Sequence, residues 1–158
     1  GYYLFTGKIG YIVEQHKKQD FLNLAVGLFG NLIATFLLGM LLRTVLPNIG
    51  ERAAEMCSAK LAQFPLYSFI RGFFCGILMY LAVSIYKEKN SVLGVLFCVP
   101  VFILCGFEHS IADMFYFGTS GIFDTKIIFF MALIVAGNTL GAMVLPLLKG
   151  VHTNEKQG

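Results

Sequence analysis

An ionisable pair, Glu108-His109, lies inside a long apolar segment, and Asp113 follows four residues after the histidine. An ionisable side chain placed in lipid costs on the order of 3 kcal/mol on insertion scales, so such residues usually serve a function. The imidazole of His109 can give or take a proton near neutral pH. The pattern indicates a polar centre on the path of a small solute. The structural alternative is a satisfied polar pair at a helix break, with Glu108 bonding free backbone N–H groups.

Four other polar residues stand in or beside apolar segments. Asn138 needs a hydrogen-bond partner, and a bond across to His109 would fix the imidazole tautomer; a helix–helix polar contact is an equally good explanation. From composition alone, Lys60 is an interfacial lysine that extends its ammonium to water. Arg71 is expected to pair with a carbonyl or a carboxylate. Thr6 is unremarkable without further context.

The composition indicates what solvent surrounds these residues. Of the 158 residues, 57% are hydrophobic and only 13% are charged, whereas soluble domains carry roughly 25% charged residues. The net charge of +3 is small and is not gathered into a basic run, which argues against nucleic acid as a partner. A lipid bilayer is therefore the expected surrounding, and we predict one transmembrane domain over residues 1–158.

Apolar segments of about 20 residues are long enough to cross a bilayer as helices. The sequence predicts three such spans, at about residues 21–47, 61–86 and 127–148. The stretch 90–123 is also apolar, but one straight helix of that length would measure roughly 50 Å, against a hydrocarbon core of about 30 Å. We predict a break near residues 106–109, where Gly106 supplies conformational freedom. Because irregular backbone at membrane depth is tolerated beside a cavity, the broken element should line one.

Basic residues are distributed unequally between the two sets of loops. Four of them fall on one side, at Arg43, Arg52, Lys60 and Lys126. Seven fall on the other, at Lys8, Lys17, Lys18, Lys87, Lys89, Lys149 and Lys156. The positive-inside rule assigns the richer side to the cytoplasm. We therefore expect a multi-pass protein of the plasma membrane with a cytoplasmic C-terminus.

Metal and cofactor chemistry are poorly supported by the sequence. The four cysteines show no CxxC spacing and are interpreted as packing residues. A membrane metalloenzyme is one rival, because His109 and Asp113 share a helical face, but the other histidines, His16 and His152, lie in loops and no HExxH occurs. A neutral-solute pore of the aquaporin type is another, but Asn-Pro-Ala is missing. We predict no enzyme activity, no metal and no cofactor.

Four stretches together resemble motifs of the formate/nitrite transporter family. In chain order they are Leu4-Phe5-Thr6-Gly7, Gly30-Asn31-Leu32-Ile33, Gly106-Phe107-Glu108-His109-Ser110-Ile111-Ala112 and Gly137-Asn138-Thr139-Leu140-Gly141. The third stretch is the specific one, and the others gain weight from their order. The resemblance implies an all-α, aquaporin-like helical bundle with inverted repeats and broken helices, assembled as a homopentamer. It also implies that the first helix and most of the second precede this chain.

The same resemblance implies a role for each site residue. Leu4 and Phe102 would form the cytoplasmic and periplasmic constrictions. Thr6, His109 and Asn138 would form the polar centre between them, with Lys60 in the vestibule and Glu108 and Phe107 in support. The substrate would be a small monovalent anion, formate first and nitrite next, with hydrosulfide or another short-chain acid as the alternative.

Two residues depart from the family pattern. Asp113 stands where an asparagine is usual, one helical turn after His109, and Gly76 stands where an asparagine is common in the fourth helix. An added acid next to the central histidine is expected to change the local field and the choice of substrate.

Overall fold

The computed structural model describes residues 4–13 and 18–155, with side chains as far as Lys149. Lys17, His16 and Lys156 lie outside the described residues, as does the side chain of His152. The helices are α1 (Phe5–Lys8), a 3₁₀ helix (Ile9–Val13), α2 (Lys18–Val45), α3 (Pro47–Leu61), α4 (Pro65–Lys89), α5 (Leu93–Leu104), α6 (Ser110–Ser120) and α7 (Lys126–Glu155). The described ranges contain no strand, which agrees with the predicted all-α class.

Three of these helices are long and apolar enough to cross a membrane: Lys18–Val45, Pro65–Lys89 and Lys126–Lys149. Two prolines shift the end of the first span and the start of the second away from the predicted positions. The first span stops at Val45, because Leu46 precedes Pro47 and leaves the helical region at φ −130° and ψ 75°. The second begins at Pro65 rather than at residue 61, with Phe64 extended before it and proline at a position where a missing N–H costs little.

Helix α3 was not predicted. Its 15 residues include Glu51, Arg52 and Glu55, all exposed, on a helix that buries Ala53 and Cys57. An amphipathic helix of this kind is too short and too charged to cross the bilayer. It connects α2 to α4 and brings its last residues, including Lys60, against α6.

The long segment after α4 is broken, as the fold class requires. Helix α5 ends at Leu104 and α6 begins at Ser110. Gly106 has φ +64°, a left-handed conformation that glycine adopts without strain, so this residue is the turning point proposed from the sequence. His109 itself is extended, with φ −116° and ψ 114°. The two half-helices therefore leave a stretch of non-helical backbone between them.

A second extended residue precedes α1. Leu4 has φ −88° and ψ 118°, and the chain becomes helical at Phe5. Each half of the molecule thus places an extended residue immediately before a short helix, α1 in one half and α6 in the other. Paired breaks at corresponding points of two repeats are the arrangement that builds binding sites near the bilayer midplane.

Helices α4 and α7 form the closest packing in the protein. A Cβ on Gly76 would overlap the backbone of Asn138, and a Cβ on Gly137 would lie 2.6 Å from the carbonyl oxygen of Phe69. Each helix carries a GxxxG pair, Gly72 and Gly76 on α4 and Gly137 and Gly141 on α7. These small residues allow the two backbones to touch. Gly76, a departure from the family pattern, is explained by this contact, since no side chain fits between it and α7.

Replacing Gly137 with valine should lower the free energy of unfolding by about 1–3 kcal/mol. All three of the nearest atoms to the added Cβ, at 2.6 to 3.1 Å, belong to the α4 backbone, so no rotamer change relieves the overlap. Thermal unfolding in detergent measures the effect. Gly30→Ala is the matched control, because nothing lies within 4 Å of a Cβ at Gly30 and alanine favours the helix. Equal melting temperatures for the two variants would contradict the close packing.

Candidate functional site

His109 lies at the junction of the break and α6, with 7% of its surface exposed. It is the N-cap of α6, and its Nδ1 accepts a hydrogen bond from the backbone N–H of Ala112 at 3.3 Å. A ring nitrogen that accepts carries no proton, so in the neutral imidazole the proton resides on Nε2. Nε2 lies 2.9 Å from Oγ1 of Thr6, and the threonine hydroxyl therefore accepts from it.

This geometry favours the neutral form of His109. A protonated imidazole would place an Nδ1–H against the Ala112 N–H, two donors facing each other. The ring would have to turn and give up the cap before it could hold a second proton. At rest, His109 presents one fixed donor, Nε2–H, toward Thr6.

The bond between Thr6 and His109 joins α1 to the break that precedes α6. Thr6 is 1% exposed and lies in α1, two residues after the extended Leu4, whereas His109 is separated from it by 103 positions in the sequence. The structure thus brings together two of the residues that the resemblance assigned to the polar centre.

Aromatic and apolar side chains border this centre. Phe102 of α5 is half-buried and stacks on the His109 ring, with centroids 5.5 Å apart and planes at 22°. Phe107 stacks on Phe74, with centroids 5.6 Å apart. Leu4 is 38% exposed and lies two residues before Thr6. The stacking puts Phe102 directly on the imidazole, and Leu4 is the extended residue at the start of α1.

Asn138 bonds backbone groups instead of His109, so the expected bond to His109 is wrong, whereas its bond to α4 is the helix–helix polar contact that the sequence offered as the alternative. Its Oδ1 accepts from the backbone N–H of Ser110 at 2.9 Å. Its Nδ2 donates to the carbonyl oxygens of Gly72 and Glu108, both at 2.9 Å. The side chain, 1% exposed, thus satisfies backbone groups that the break and the close α4 contact leave unpaired. It holds the break in place, and the Ala112 N–H sets the tautomer of His109 instead.

Lys60 is no ordinary interfacial lysine. Its Nζ contacts Oε2 of Glu108 and lies 3.1 Å from Oδ1 of Asp113, and its side chain is 13% exposed. The side chains of Glu108 and Asp113 are 1% and 2% exposed. Burial lowers the pKa of Lys60, but the Asp113 and Glu108 carboxylates oppose this more strongly and raise it above its ordinary value. Glu108 therefore pairs with a cation and does not bond backbone N–H groups through its carboxylate.

Lys60 borders a cavity. A cavity of about 120 Å³ is lined by residues from the start of α4 and of α7, together with Lys60 and Lys126. Arg71 is exposed and donates to the side-chain amide carbonyl oxygen of Gln63 at 2.8 Å, in agreement with the expected pairing with a carbonyl or a carboxylate. Among residues 4–13 and 18–149, no cluster of histidine, cysteine or acidic side chains is arranged to hold a metal ion.

Comparison with known proteins identifies the family and the fold of the chain. The family model described as formate/nitrite transporter matches residues 1–149. A solved structure titled FNT family ion channel is similar, with a TM-score of 0.81 and 22% identity over 95% of this chain and 68% of that chain. At this identity the likeness shows a shared fold. A comparison with curated protein sequences finds no match. The chain, a multi-pass membrane protein with broken helices, belongs to the formate/nitrite transporter family.

Proposed function

We propose that this protein passes small monovalent anions across the membrane, formate first and nitrite second, through the centre formed by Thr6 and His109. The observation that carries the proposal is the Thr6–His109 hydrogen bond between α1 and the break before α6, at 2.9 Å, with Phe102 stacked on the imidazole. The stacked Phe102 supports an apolar boundary on one side of this polar contact, and we propose Leu4 as the boundary on the other side from the family resemblance. Hydrosulfide and other short-chain acids share the size and charge and are the alternative substrates.

A charged solute cannot cross an apolar constriction cheaply. The idealised Born cost of moving such an ion into a medium of low dielectric constant is of order 20 kcal/mol, and a neutral acid avoids most of it. As an anion loses its water, its basicity rises, because burial disfavours the charged form. We propose that the substrate takes up a proton between Phe102 and Leu4 and crosses as the acid.

The state of His109 defines its part in this step. Its Nδ1 accepts from Ala112, so the resting imidazole is neutral and has no surplus proton to give. Its Nε2–H can instead donate a hydrogen bond to an anion that takes the place of Thr6 Oγ1. We propose that the proton comes from a water molecule that enters with the anion and is relayed along these polar groups, while the hydroxide left behind returns to the solution on the side of entry. Asn138 contributes by fixing the backbone that carries Glu108 and Ser110.

Lys60 is proposed to meet the anion at the entrance. Its side chain retains 13% exposure and borders the 120 Å³ cavity, so part of the ammonium is accessible from outside. The positive charge of Lys60 is offset by Glu108 and Asp113. How strongly Lys60 attracts anions therefore depends on whether those two carboxyl groups are ionised. We further propose a homopentamer in the plasma membrane with the C-terminus in the cytoplasm, as expected from the family and from the lysine distribution.

Flux through the purified protein in proteoliposomes tests the proposal. Formate, nitrite and hydrosulfide are each supplied over a pH series, and proton entry is followed with a dye trapped in the vesicles. We expect flux well above that of protein-free vesicles for at least one of the three anions, with a proton entering alongside each anion. Flux no greater than in protein-free vesicles for all three would overturn it.

A further inference from the structure

The cluster around Lys60 contains one more acid than base. Glu108 and Asp113 both approach the single ammonium of Lys60, and the carboxylates are essentially inaccessible to water. If all three groups were ionised, the cluster would carry a net charge of −1 inside the protein. An uncompensated buried charge is costly enough that the group usually takes up a proton instead.

The two oxygens of the Asp113 carboxyl have different surroundings. Its Oδ1 faces Lys60 at 3.1 Å, whereas its Oδ2 is buried and, within the described part of the chain, has no hydrogen-bond partner. A carboxylate oxygen normally accepts bonds from several donors. An oxygen held where no donor reaches it is the natural place for a proton.

We propose that Asp113 is a proton-binding residue of the pathway, protonated at rest, and that loss of its proton makes the entrance repel anions. The inference rests on the proposed anion flux for its consequence, but the proton site stands on the geometry alone. With Asp113 neutral, Lys60 and Glu108 balance and the entrance admits an anion. With Asp113 ionised, a negative charge stands one helical turn from His109, and the residue thereby limits passage to conditions in which acid is available.

Other groups around the carboxyl cannot supply the missing positive charge. The titratable groups facing Asp113 are Lys60 and Cys57 on α3, Cys75 on α4, Glu108 and His109 at the break, and Tyr116 on α6. Burial raises the pKa of Cys57 to about 11, so this thiol stays neutral. Helix α7 contributes the uncharged Asn138, and Arg43 of α2 donates to Ser120 at the far end of α6. Lys60 is the cation at the cluster, and Glu108 already pairs with it.

Infrared difference spectroscopy detects the proton without any transport. The purified protein is titrated in lipid, and the C=O stretch of a buried carboxylic acid is followed in wild type, Asp113→Asn and Asp124→Asn. Asp124 is a matched control because its side chain is partly exposed and accepts from the Lys126 N–H. We expect a carboxylic acid band at neutral pH that disappears in Asp113→Asn and persists in Asp124→Asn. A wild-type spectrum with no such band would overturn the proposal.

The flux comparison then tests the consequence. Asparagine has the shape of a protonated aspartate, so the ratio of Asp113→Asn flux to wild-type flux should be near one at acidic pH. It should rise at least about tenfold at alkaline pH, where only the wild type gains a charge. Taking the ratio at each pH cancels the titration of the substrate itself. A ratio that does not change with pH would overturn the gating role. If no anion is carried at all while the infrared band is present, the proposed function fails and the proton site is supported.

Discussion

Lys60→Met is expected to lower the free energy of unfolding by about 3–5 kcal/mol, the range for breaking a buried ion pair by removing one partner. Methionine fills much of the same space, so the loss comes from charge rather than from packing. The substitution leaves Glu108 and Asp113 without the ammonium that both approach. Thermal unfolding in detergent measures the change. It is followed by circular dichroism, because the chain contains no tryptophan for fluorescence.

The pH dependence gives this prediction its sign. In the variant, protonation of the carboxyls that have lost their cation removes the uncompensated buried charge, so stability should recover as the pH falls. In the wild type, Lys60 has a raised pKa. Its contribution is therefore fully present below the unfolded value of about 10.4 and is lost only as the pH rises through the folded value. Between about pH 5 and 9 the wild type should change little through this group, whereas the variant should change steeply.

Two further variants isolate the charge effect of Lys60. Lys126→Met removes a lysine that lines the same cavity but is exposed, and it should shift stability by less than about 0.5 kcal/mol. Adding Glu108→Gln to Lys60→Met removes an uncompensated carboxylate and should restore most of the loss. If Lys60→Met melts at the same temperature as Lys126→Met, the buried bridge is not a stabilising element of the fold.

The apolar architecture was accessible from sequence because it depends on local composition. Apolar runs long enough for the bilayer predicted the spans, and Gly106 before the polar pair predicted the break. Helix α3 was not predicted because its charged residues interrupt any apolar run, and the segment was therefore interpreted as a loop. Its burial of Ala53 and Cys57 follows from packing against α6, a contact that single-sequence periodicity does not show.

The site residues were identified by type, but their partners were not. A buried amide or carboxylate must find a partner, and for this reason Asn138 and Glu108 stand out in the sequence. Which partner each finds depends on contacts far apart in the chain, 66 positions for Asn138 with Gly72 and 48 for Lys60 with Glu108. The N-cap bond of His109 is local, since its partner Ala112 is only three residues away. Histidine is not among the usual N-cap residues, so the sequence did not indicate this cap.

His109→Asn is expected to reduce anion flux by about 10²-fold while leaving the fold nearly as stable as in the wild type. Asparagine is a preferred N-cap, and its side-chain oxygen can accept from Ala112 as Nδ1 does now. It is too short to replace Nε2–H toward Thr6. Loss of one placed donor at a site where charge is stabilised typically costs 10²–10³-fold in rate, by analogy with oxyanion sites. Flux in proteoliposomes at a fixed pH measures the loss.

His109→Phe separates the cap from the donor. Phenylalanine keeps an aromatic ring for Phe102 to stack on but supplies neither acceptor nor donor. It should lose flux to the same extent as asparagine and, in addition, about 1 kcal/mol of stability from the missing cap. Equal flux losses with unequal stabilities would assign transport to Nε2–H and helix initiation to Nδ1. Full, pH-sensitive flux in His109→Asn would instead remove the imidazole from the pathway, because the one function that asparagine cannot reproduce would then be dispensable.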